Sequence, residues 1–237
     1  MLRLELDGGG YVELVGHHAS DLLVVNGARA SFDKQKSELD DGDRHLIKYL
    51  VKHKHMAPFR HPQFTFRIKT SEVTMRQMYK HQIGCGWTSG DVREAATVWS
   101  EVSGRYTVDD EYEIPASFRP QHENNRQASV EGAEIARNSE AVELFKNTVK
   151  QAHDAYTALL AMGVCKEQAR MIKPVCFMTT VVWTASLEAV VHFIRLRDHD
   201  GAQVEIKNLA RCLSQLVRPI VPVTFAALFD NGNITIG

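Results

Sequence analysis

A strict alternation of apolar and polar residues runs through Gln63–Lys69, which reads QFTFRIK. Side chains of a strand point alternately to its two faces, so Phe64, Phe66 and Ile68 share one face and the polar residues share the other. The pattern predicts a half-buried strand, and the rest of the fold is placed outward from it.

Upstream of this strand, Leu2–Leu6 and Tyr11–Val15 flank a triple glycine, which predicts a short hairpin. Asp43–His53 is a charged segment with apolar residues at helical spacing, and it predicts an amphipathic helix. Another helix is predicted downstream of the strand, from about Glu72 to His81.

Helical periodicity dominates the C-terminal half. Apolar residues recur at three- and four-residue steps in Ala141–Met162, which predicts a long amphipathic helix closed by Gly163. Thr184–Arg195 and Ala202–Val217 predict two more helices, each with one buried face. Together these elements predict one α+β domain over residues 1–237, with a small mixed or antiparallel sheet packed against several long helices.

Composition limits the classes of partner. The 237-residue chain is 44% hydrophobic and 24% charged, as in ordinary soluble proteins, and its formal net charge is −1. This charge gives no general basis for specific DNA binding, so any phosphate site requires a local cluster of Arg and Lys. The apolar runs are too short to span a bilayer and the first residues lack a signal-peptide pattern, so we expect a cytoplasmic protein with no membrane partner.

The spacing of cysteine and histidine residues argues against sulfur and metal chemistry. The four cysteines, at positions 85, 165, 176 and 212, form no CxxC pair, which disfavours a zinc ribbon or a disulfide framework. The histidines at 53, 55 and 61 and the triplet Asp198-His199-Asp200 lack the spacing of known metal-ligand motifs. We therefore expect reduced thiols and no metal.

A polar block at Trp99–Tyr106, which reads WSEVSGRY, is the strongest candidate for a binding site. It places a carboxylate, a hydroxyl, a glycine and a guanidinium within the five residues from Glu101 to Arg105. Serine and arginine donate well to phosphate oxygens, and glycine allows close approach of a ligand. Taken alone, such a stretch is more often a polar loop. Upstream, Gln77, Lys80 and His81 share one helical face.

The order of these blocks resembles that of flavin-dependent thymidylate synthases. Lys80-His81-Gln82 followed by Ser103-Gly-Arg-Tyr106 is similar to the Arg-His-Arg and Ser-x-Arg-Tyr signature of that family. Further short blocks occur in the family's order: Arg29–Asp33, Asp43–Ile47, His53–His55, Pro58-Phe59, Phe64–Phe66, Arg76-Gln77 and Arg195–Arg197. Each block is short, but their collinearity extends the resemblance over most of the chain.

The resemblance implies a homotetramer with active sites shared between subunits, and FAD as the cofactor. It also implies NADPH as reductant, and dUMP and methylenetetrahydrofolate as substrates. The positions matching flavin contacts are Ser31, His55, Lys80, His81, Gln82 and Glu101. The positions matching dUMP contacts are Gln77, Glu101, Ser103, Gly104, Arg105 and Arg197, with Arg170 reaching the nucleotide from a neighbouring subunit. Arg197 is the expected catalytic residue, because a guanidinium beside the pyrimidine carbonyl stabilises charge that develops on the ring.

This sequence departs from the family pattern at three places. Lys80 and Gln82 replace the two arginines beside the central histidine. An insert near residues 85–98 separates the two signature blocks, and we expect it to form a loop over the active site. Ser186 and Glu188 stand where the family has Asn and Arg.

Three other functions remain open at this stage. The altered flavin motif is compatible with hydroxymethylation of dUMP, in which water instead of hydride intercepts the methylene intermediate. The chain is also compatible with a non-catalytic nucleotide- or RNA-binding relative. The His and Asp clusters leave a metal-dependent nucleotide phosphohydrolase as a third alternative.

Overall fold

A computed structural model of the chain describes residues 2–81, 98–106 and 110–230. Within these ranges there are five strands and eight α-helices. The strands are β1 Leu2–Glu5, β2 Tyr11–His18, β3 Gln63–Ser71, β4 Val98–Glu101 and β5 Met178–Ser186. The helices are α1 Asp21–Arg29, α2 Asp41–Lys52, α3 Glu72–Met78, α4 Asn138–Ala161, α5 Lys166–Ala169, α6 Leu187–Arg197, α7 Val204–Val217 and α8 Pro222–Asp230.

The five strands form one sheet in the order β1-β2-β3-β5-β4, with every neighbouring pair antiparallel. The predicted hairpin and the predicted strand are confirmed as β1, β2 and β3. Phe64, Phe66 and Ile68 of β3 lie directly opposite Ala185, Trp183 and Val181 of β5, and all six are buried. The expected α+β class with a small antiparallel sheet is therefore confirmed.

Helices cover this buried face and share its core. Buried residues of α1, α2, α3, α6, α7 and α8 belong to the same hydrophobic cluster as β3 and β5. The opposite face of β3 carries Thr65, Arg67 and Lys69, as the alternating sequence predicts. Among the described residues, no helix has the length and apolar character needed to cross a membrane.

Two predicted helices extend three residues too far at one end. Residues 184–186 belong to β5, so α6 begins at Leu187 and not at Thr184. The predicted helix from Glu72 ends at Met78, three residues before His81. In both cases these residues belong to the neighbouring strand or turn, although their apolar spacing suits a helix equally well. Most of the predicted insert, residues 85–97, lies outside the described residues, while Val98 opens β4.

Candidate functional site

A cavity of about 620 Å³ opens where β4 ends and α3 begins. Glu101, Ser103, Gly104, Arg105 and Arg170 all line it, so the fold of one chain gathers five of the predicted site residues. The charged residues of its wall are Glu72, Arg76, Glu101, Arg105, Arg170 and Lys173. With four cations against two carboxylates, the cavity suits an anionic ligand.

A tight turn at the end of β4 presents the Ser103–Arg105 block to this cavity. The Ser103 carbonyl accepts a hydrogen bond from the Tyr106 amide at 2.9 Å, and the Ser103 hydroxyl lies 3.5 Å from Arg105 Nε. Gly104 does not have a positive φ, so the backbone alone does not demand glycine there. A Cβ at Gly104 would lie 3.7 Å from Cδ of Arg170, which is an ordinary contact. Neither the backbone nor the described neighbours therefore require glycine at this position.

Arg170 enters the cavity from the same chain. It begins the 3-10 turn Arg170–Ile172 that follows α5, and its side chain passes close to Gly104. The expectation from the sequence is that Arg170 reaches the nucleotide from a neighbouring subunit. The structure places it beside Ser103–Arg105 within one chain, because the turn at 170–172 leads directly into the segment before β5 that forms the cavity wall.

The first turn of α3 closes the other side of the cavity. Its amides at Glu72 and Val73 donate to the carbonyls of Phe177 and Val175, at 2.8 and 3.0 Å. These bonds satisfy helix N-terminal donors and attach α3 to the segment before β5. Arg76, one turn along α3, is held by Glu72 through Nε at 3.0 Å.

A second group of predicted residues meets elsewhere, between the end of α3 and the end of α6. Arg197 Nε donates to His81 Nε2 at 2.8 Å, and Gln77 donates its amide to Gln203, the residue before α7. The His81 ring packs edge-on against Phe193 at 4.9 Å. None of Gln77, His81 and Arg197 lines the cavity at Glu101.

His81 is neutral at physiological pH. It is 8% exposed, and burial, followed by the positive charge of Arg197, lowers the pKa of His81 to about 4. Because Arg197 Nε can only donate, His81 Nε2 must be the acceptor, which leaves the proton on Nδ1. The pair thus orients the guanidinium of Arg197.

Three predicted flavin residues lie on the exposed surface. Ser31 is in the 3-10 turn Ala30–Phe32, His55 follows α2, and Lys80 follows α3. Within the described part of the chain, their side chains make no hydrogen bond or ion pair; the His55 ring contacts those of Tyr49 and His53. Gln82, the remaining predicted residue, lies outside the described residues.

Two residues that depart from the family pattern have structural partners here. The Ser186 hydroxyl accepts from the Ala189 amide at 3.2 Å and so caps α6. Glu188, which is 8% exposed, forms an ion pair with Arg60. Glu188 therefore retains a charge partner from the turn that precedes β3.

Residues of the triplet Asp198-His199-Asp200 have partners other than a metal. Asp198 pairs with Arg211 at 2.9 Å, and His199 Nδ1 accepts from the Gly201 amide at 3.0 Å. No group of three or more potential metal ligands converges among the described residues. Burial raises the pKa of the Cys176 and Cys212 thiols, so neither is set up as a thiolate nucleophile.

Sequence reasoning missed Thr179 in the cavity wall and Gln203 beside Gln77. Thr179 Oγ1 donates to Glu101 Oε1 at 2.6 Å. The β-branched run Thr179–Val182 is typical of a strand and was the available signal for Thr179. No comparable signal marks Gln203, because its contact depends on how α7 packs beside α3.

Comparison with known proteins identifies relatives along almost the whole chain. Residues 13–223 match the family described as thymidylate synthase complementing protein. A flavin-dependent thymidylate synthase of Thermus thermophilus is 35% identical over 223 residues, which cover 94% of this chain and 76% of that protein. The one from Kosmotoga olearia is 34% identical over 222 residues, covering 93% and 90%.

A solved structure shares the fold. The UMP/dUMP methylase PolB from Streptomyces cacaoi, bound with 5-Br dUMP, superposes with a TM-score of 0.80 at 28% sequence identity. The match covers 96% of this chain and 97% of that one. The chain therefore belongs to the thymidylate synthase complementing protein family, together with the flavin-dependent thymidylate synthases that it matches along most of its length.

Proposed function

We propose that this protein is a flavin-dependent thymidylate synthase that converts dUMP to dTMP. Methylenetetrahydrofolate supplies the carbon, and FAD, reduced by NADPH, supplies the hydride. One observation carries the proposal: the Ser103–Arg105 block and Arg170 come together in a cationic cavity, in a chain that matches enzymes of this name over 94% of its length.

The cavity at Glu101 holds the phosphate end of the nucleotide. The Ser103 hydroxyl and the guanidinium groups of Arg105 and Arg170 are donors suited to phosphate oxygens. The PolB structure, with 5-Br dUMP bound in the same fold, supports a pyrimidine nucleotide as the ligand. Fixing the phosphate orients the ring, and positioning of this kind supplies much of the rate in such reactions.

Arg197 acts on the pyrimidine. Its Nε is occupied by His81, while its two terminal nitrogens have no hydrogen-bond partner among the described residues. A guanidinium held in this way can donate to a pyrimidine carbonyl and stabilise negative charge on the ring as C5 becomes nucleophilic. Gln77, held by Gln203, is a further substrate contact in this proposal.

The exposed polar side chains fit a flavin nucleotide. Ser31, His55 and Lys80 offer a hydroxyl, an imidazole and an ammonium group that are not engaged within the described chain, and His81, Gln82 and Glu101 complete the proposed set. When bound, the flavin supplies the hydride that completes the methyl group. In this proposal the neutral His81 orients the flavin, and the cationic Lys80 offsets its negative charge.

We further propose a homotetramer in which two subunits contribute to each site. Within one chain, Gln77, His81 and Arg197 do not line the cavity of Glu101–Arg105, which supports a site to which two chains contribute. Apolar side chains at the cavity, Met171 and Val175, are 82% and 47% exposed, as expected of a surface covered by another subunit. The single domain over 1–237, with the insert near 85–98 as a loop over the site, is part of this proposal.

The test is turnover by purified protein supplied with dUMP, NADPH and methylenetetrahydrofolate. We expect a yellow protein whose flavin absorbance is bleached by NADPH, and a product with the mass of dTMP. Hydroxymethyl-dUMP would overturn the reductive step, and absence of any product from flavin-loaded protein would favour a non-catalytic relative. Deleting residues 85–97 should change the KM for substrates without changing the oligomeric state.

A second substrate belongs in the same assay. PolB was also solved with 5-Br UMP, and that structure matches this chain with a TM-score of 0.79 at 27% identity. Methylation of UMP is therefore tested beside that of dUMP. The ratio of kcat/KM for the two nucleotides identifies the preferred sugar.

A further inference from the structure

Two carboxylates line the cavity. Among the described contacts, only that of Glu101 accepts a hydrogen bond from a buried, neutral side chain. Thr179 Oγ1 donates to Glu101 Oε1 at 2.6 Å, and Thr179 itself is only 4% exposed. A hydrogen bond to a carboxylate is stronger than one between neutral groups. The contact joins the edge strand β4 to the inner strand β5 at the cavity wall.

The strand register brings these two side chains together. Glu101 lies directly opposite Val181, and the ladder continues through the bond from the Val102 amide to the Thr180 carbonyl at 2.9 Å. Thr179 precedes Val181 by two residues, so its side chain is on the same face of the sheet. Diagonal pairs of this kind are within reach of a long side chain such as glutamate.

Tyr79 approaches Glu101 from the side of α3. Its ring contacts Trp99 edge-on at 5.0 Å, and Trp99 stacks on Trp183 at 5.2 Å. Burial and the negative charge of Glu101 both raise the pKa of Tyr79. Thr179 and Tyr79 thus approach the carboxylate from two different elements.

We propose that Thr179 is a positioning residue for nucleotide binding, which holds the Glu101 carboxylate in its substrate-binding orientation. The inference rests on the proposed function, in which this cavity binds dUMP. A glutamate side chain at an open cavity otherwise samples several rotamers, and ordering it on binding weakens affinity. Thr179 does not itself contact the nucleotide in this proposal.

The decisive comparison is between Thr179→Val and Thr179→Ser in the full-length, flavin-loaded protein. Valine keeps the shape of threonine and removes the hydroxyl, whereas serine keeps the hydroxyl. We expect Thr179→Val to raise the Kd for dUMP, measured by calorimetry, and the KM for dUMP by about tenfold, with a smaller change in kcat. Thr179→Ser should stay close to the wild type.

Thr184→Val is the matched control. Thr184 is in the same strand, and its hydroxyl bonds to Thr65 at 3.0 Å instead of to Glu101. This substitution should leave the Kd for dUMP unchanged. An equal loss of affinity in Thr179→Val and Thr184→Val would show a general effect on the sheet and overturn the inference.

A double-mutant cycle tests whether Thr179 acts through Glu101. In a Glu101→Gln background, Thr179→Val should cause little further loss of affinity, because the charged acceptor is already gone. A full tenfold loss in that background would contradict the inference. Should Thr179→Val fail to fold, Thr179→Ala, which also removes the hydroxyl that donates to Glu101, replaces it in the same cycle.

The outcomes separate this inference from the proposed function. Wild-type protein that does not bind dUMP would overturn both. Wild-type protein that binds and methylates dUMP, together with Thr179→Val protein of unchanged Kd and melting temperature, would overturn the positioning role alone.

Discussion

The pair His81–Arg197 shows how a single hydrogen bond sets two chemical properties at once. His81 is buried and neutral, and its Nε2 fixes the direction of the Arg197 guanidinium. The same guanidinium, by its positive charge, helps to keep His81 neutral. An arginine held in this way needs little reorganisation when charge develops on a bound pyrimidine.

The titration of His81 is directly measurable. We expect the pKa of His81 to be about 4, well below the ordinary 6.5. Substituting Arg197→Gln should raise it part of the way, because the cation is removed while burial remains. Histidine-selective NMR from acid to neutral pH reports both values. A wild-type His81 that titrates at its ordinary value would contradict the buried, neutral state.

Removal of the Arg197 side chain should affect chemistry more than flavin binding. We expect Arg197→Ala to lower dUMP-dependent turnover by about 10²- to 10³-fold, the usual cost of losing one donor that stabilises transition-state charge. Flavin content, read from the absorbance spectrum, should stay near that of the wild type. Near-normal turnover in this variant would rule out the proposed catalytic role.

At the scale of secondary-structure elements, Asp43 connects α1 and α2. It thereby fixes the position of the turn between them, which carries Ser31. The Asp43 carboxylate has no exposed surface and accepts from Arg29 at 2.6 Å and from Lys36 at 2.7 Å. With Asp40 it also forms the capping box of α2. These contacts join the end of α1, the 3-10 turn Ala30–Phe32 and the start of α2.

Because of this network, part of the free energy of unfolding depends on pH and is lost in acid. Burial raises the pKa of Asp43, but the hydrogen bonds from Lys36, Arg29 and Asp40 outweigh it and lower the pKa to about 2, from an ordinary 3.8. A carboxyl group whose pKa falls on folding stabilises the folded state above its unfolded pKa and loses this contribution as pH falls through its folded pKa.

Urea unfolding of wild-type and Asp43→Asn protein tests this sign. We expect the wild type to be more stable at neutral pH and the difference to shrink as pH falls from about 4 towards 2. Asp41→Asn is the control, because Asp41 is almost fully exposed and its contact with Arg44 is 3.7 Å long. A difference that stays constant with pH would rule out the ionised carboxylate as its source.

The helices and strands differ in how far the sequence predicts them. The helices α2 and α7 follow from their apolar spacing, and β3 follows from its alternation. The segment Thr184–Ser186 has a spacing that suits both a helix and a strand, and pairing with β3 and β4 decides for the strand. In α4 only Val149 and Tyr156 are buried, while much of the rest of its apolar stripe keeps exposed surface within one chain.

Over the chain as a whole, the candidate site exists in two parts. One part is the cavity with Glu101–Arg105 and Arg170, and the other is the cluster of Gln77, His81 and Arg197. The incompletely buried stripe of α4 and the exposed apolar rim of the cavity both favour contact between subunits. The proposed homotetramer, in which a second chain completes each site, would bring the two parts together.

Mixing two inactive variants tests this arrangement. Arg105→Ala and Arg197→Ala proteins should each be inactive, but tetramers assembled from both, by co-expression with two tags, should regain activity. When the two parts of a site come from different chains that assemble at random, both parts are intact in about a quarter of the sites. The mixed tetramer should run at about 107 kDa in light scattering, four times the chain mass of 26.7 kDa.

The control for this experiment joins both substitutions in one chain. In tetramers that mix the double variant with wild type, the activity should fall as expected when every site needs intact residues from two chains. Tetramers of the double variant alone should remain inactive. If mixtures of the two single variants stay inactive while forming tetramers, both parts of the site belong to one chain and the shared site is wrong.

Local periodicity and short motifs were enough to predict the class of fold, the strands β1, β2 and β3, and the helices α2, α3, α4, α6 and α7, but not the strands β4 and β5. Which of the candidate site residues meet was settled by the folded chain alone. The contacts Thr179–Glu101, Arg197–His81 and Gln77–Gln203 join residues 78, 116 and 126 positions apart. Such contacts depend on strand register and on the packing of helices against one sheet, which no local pattern in the sequence encodes.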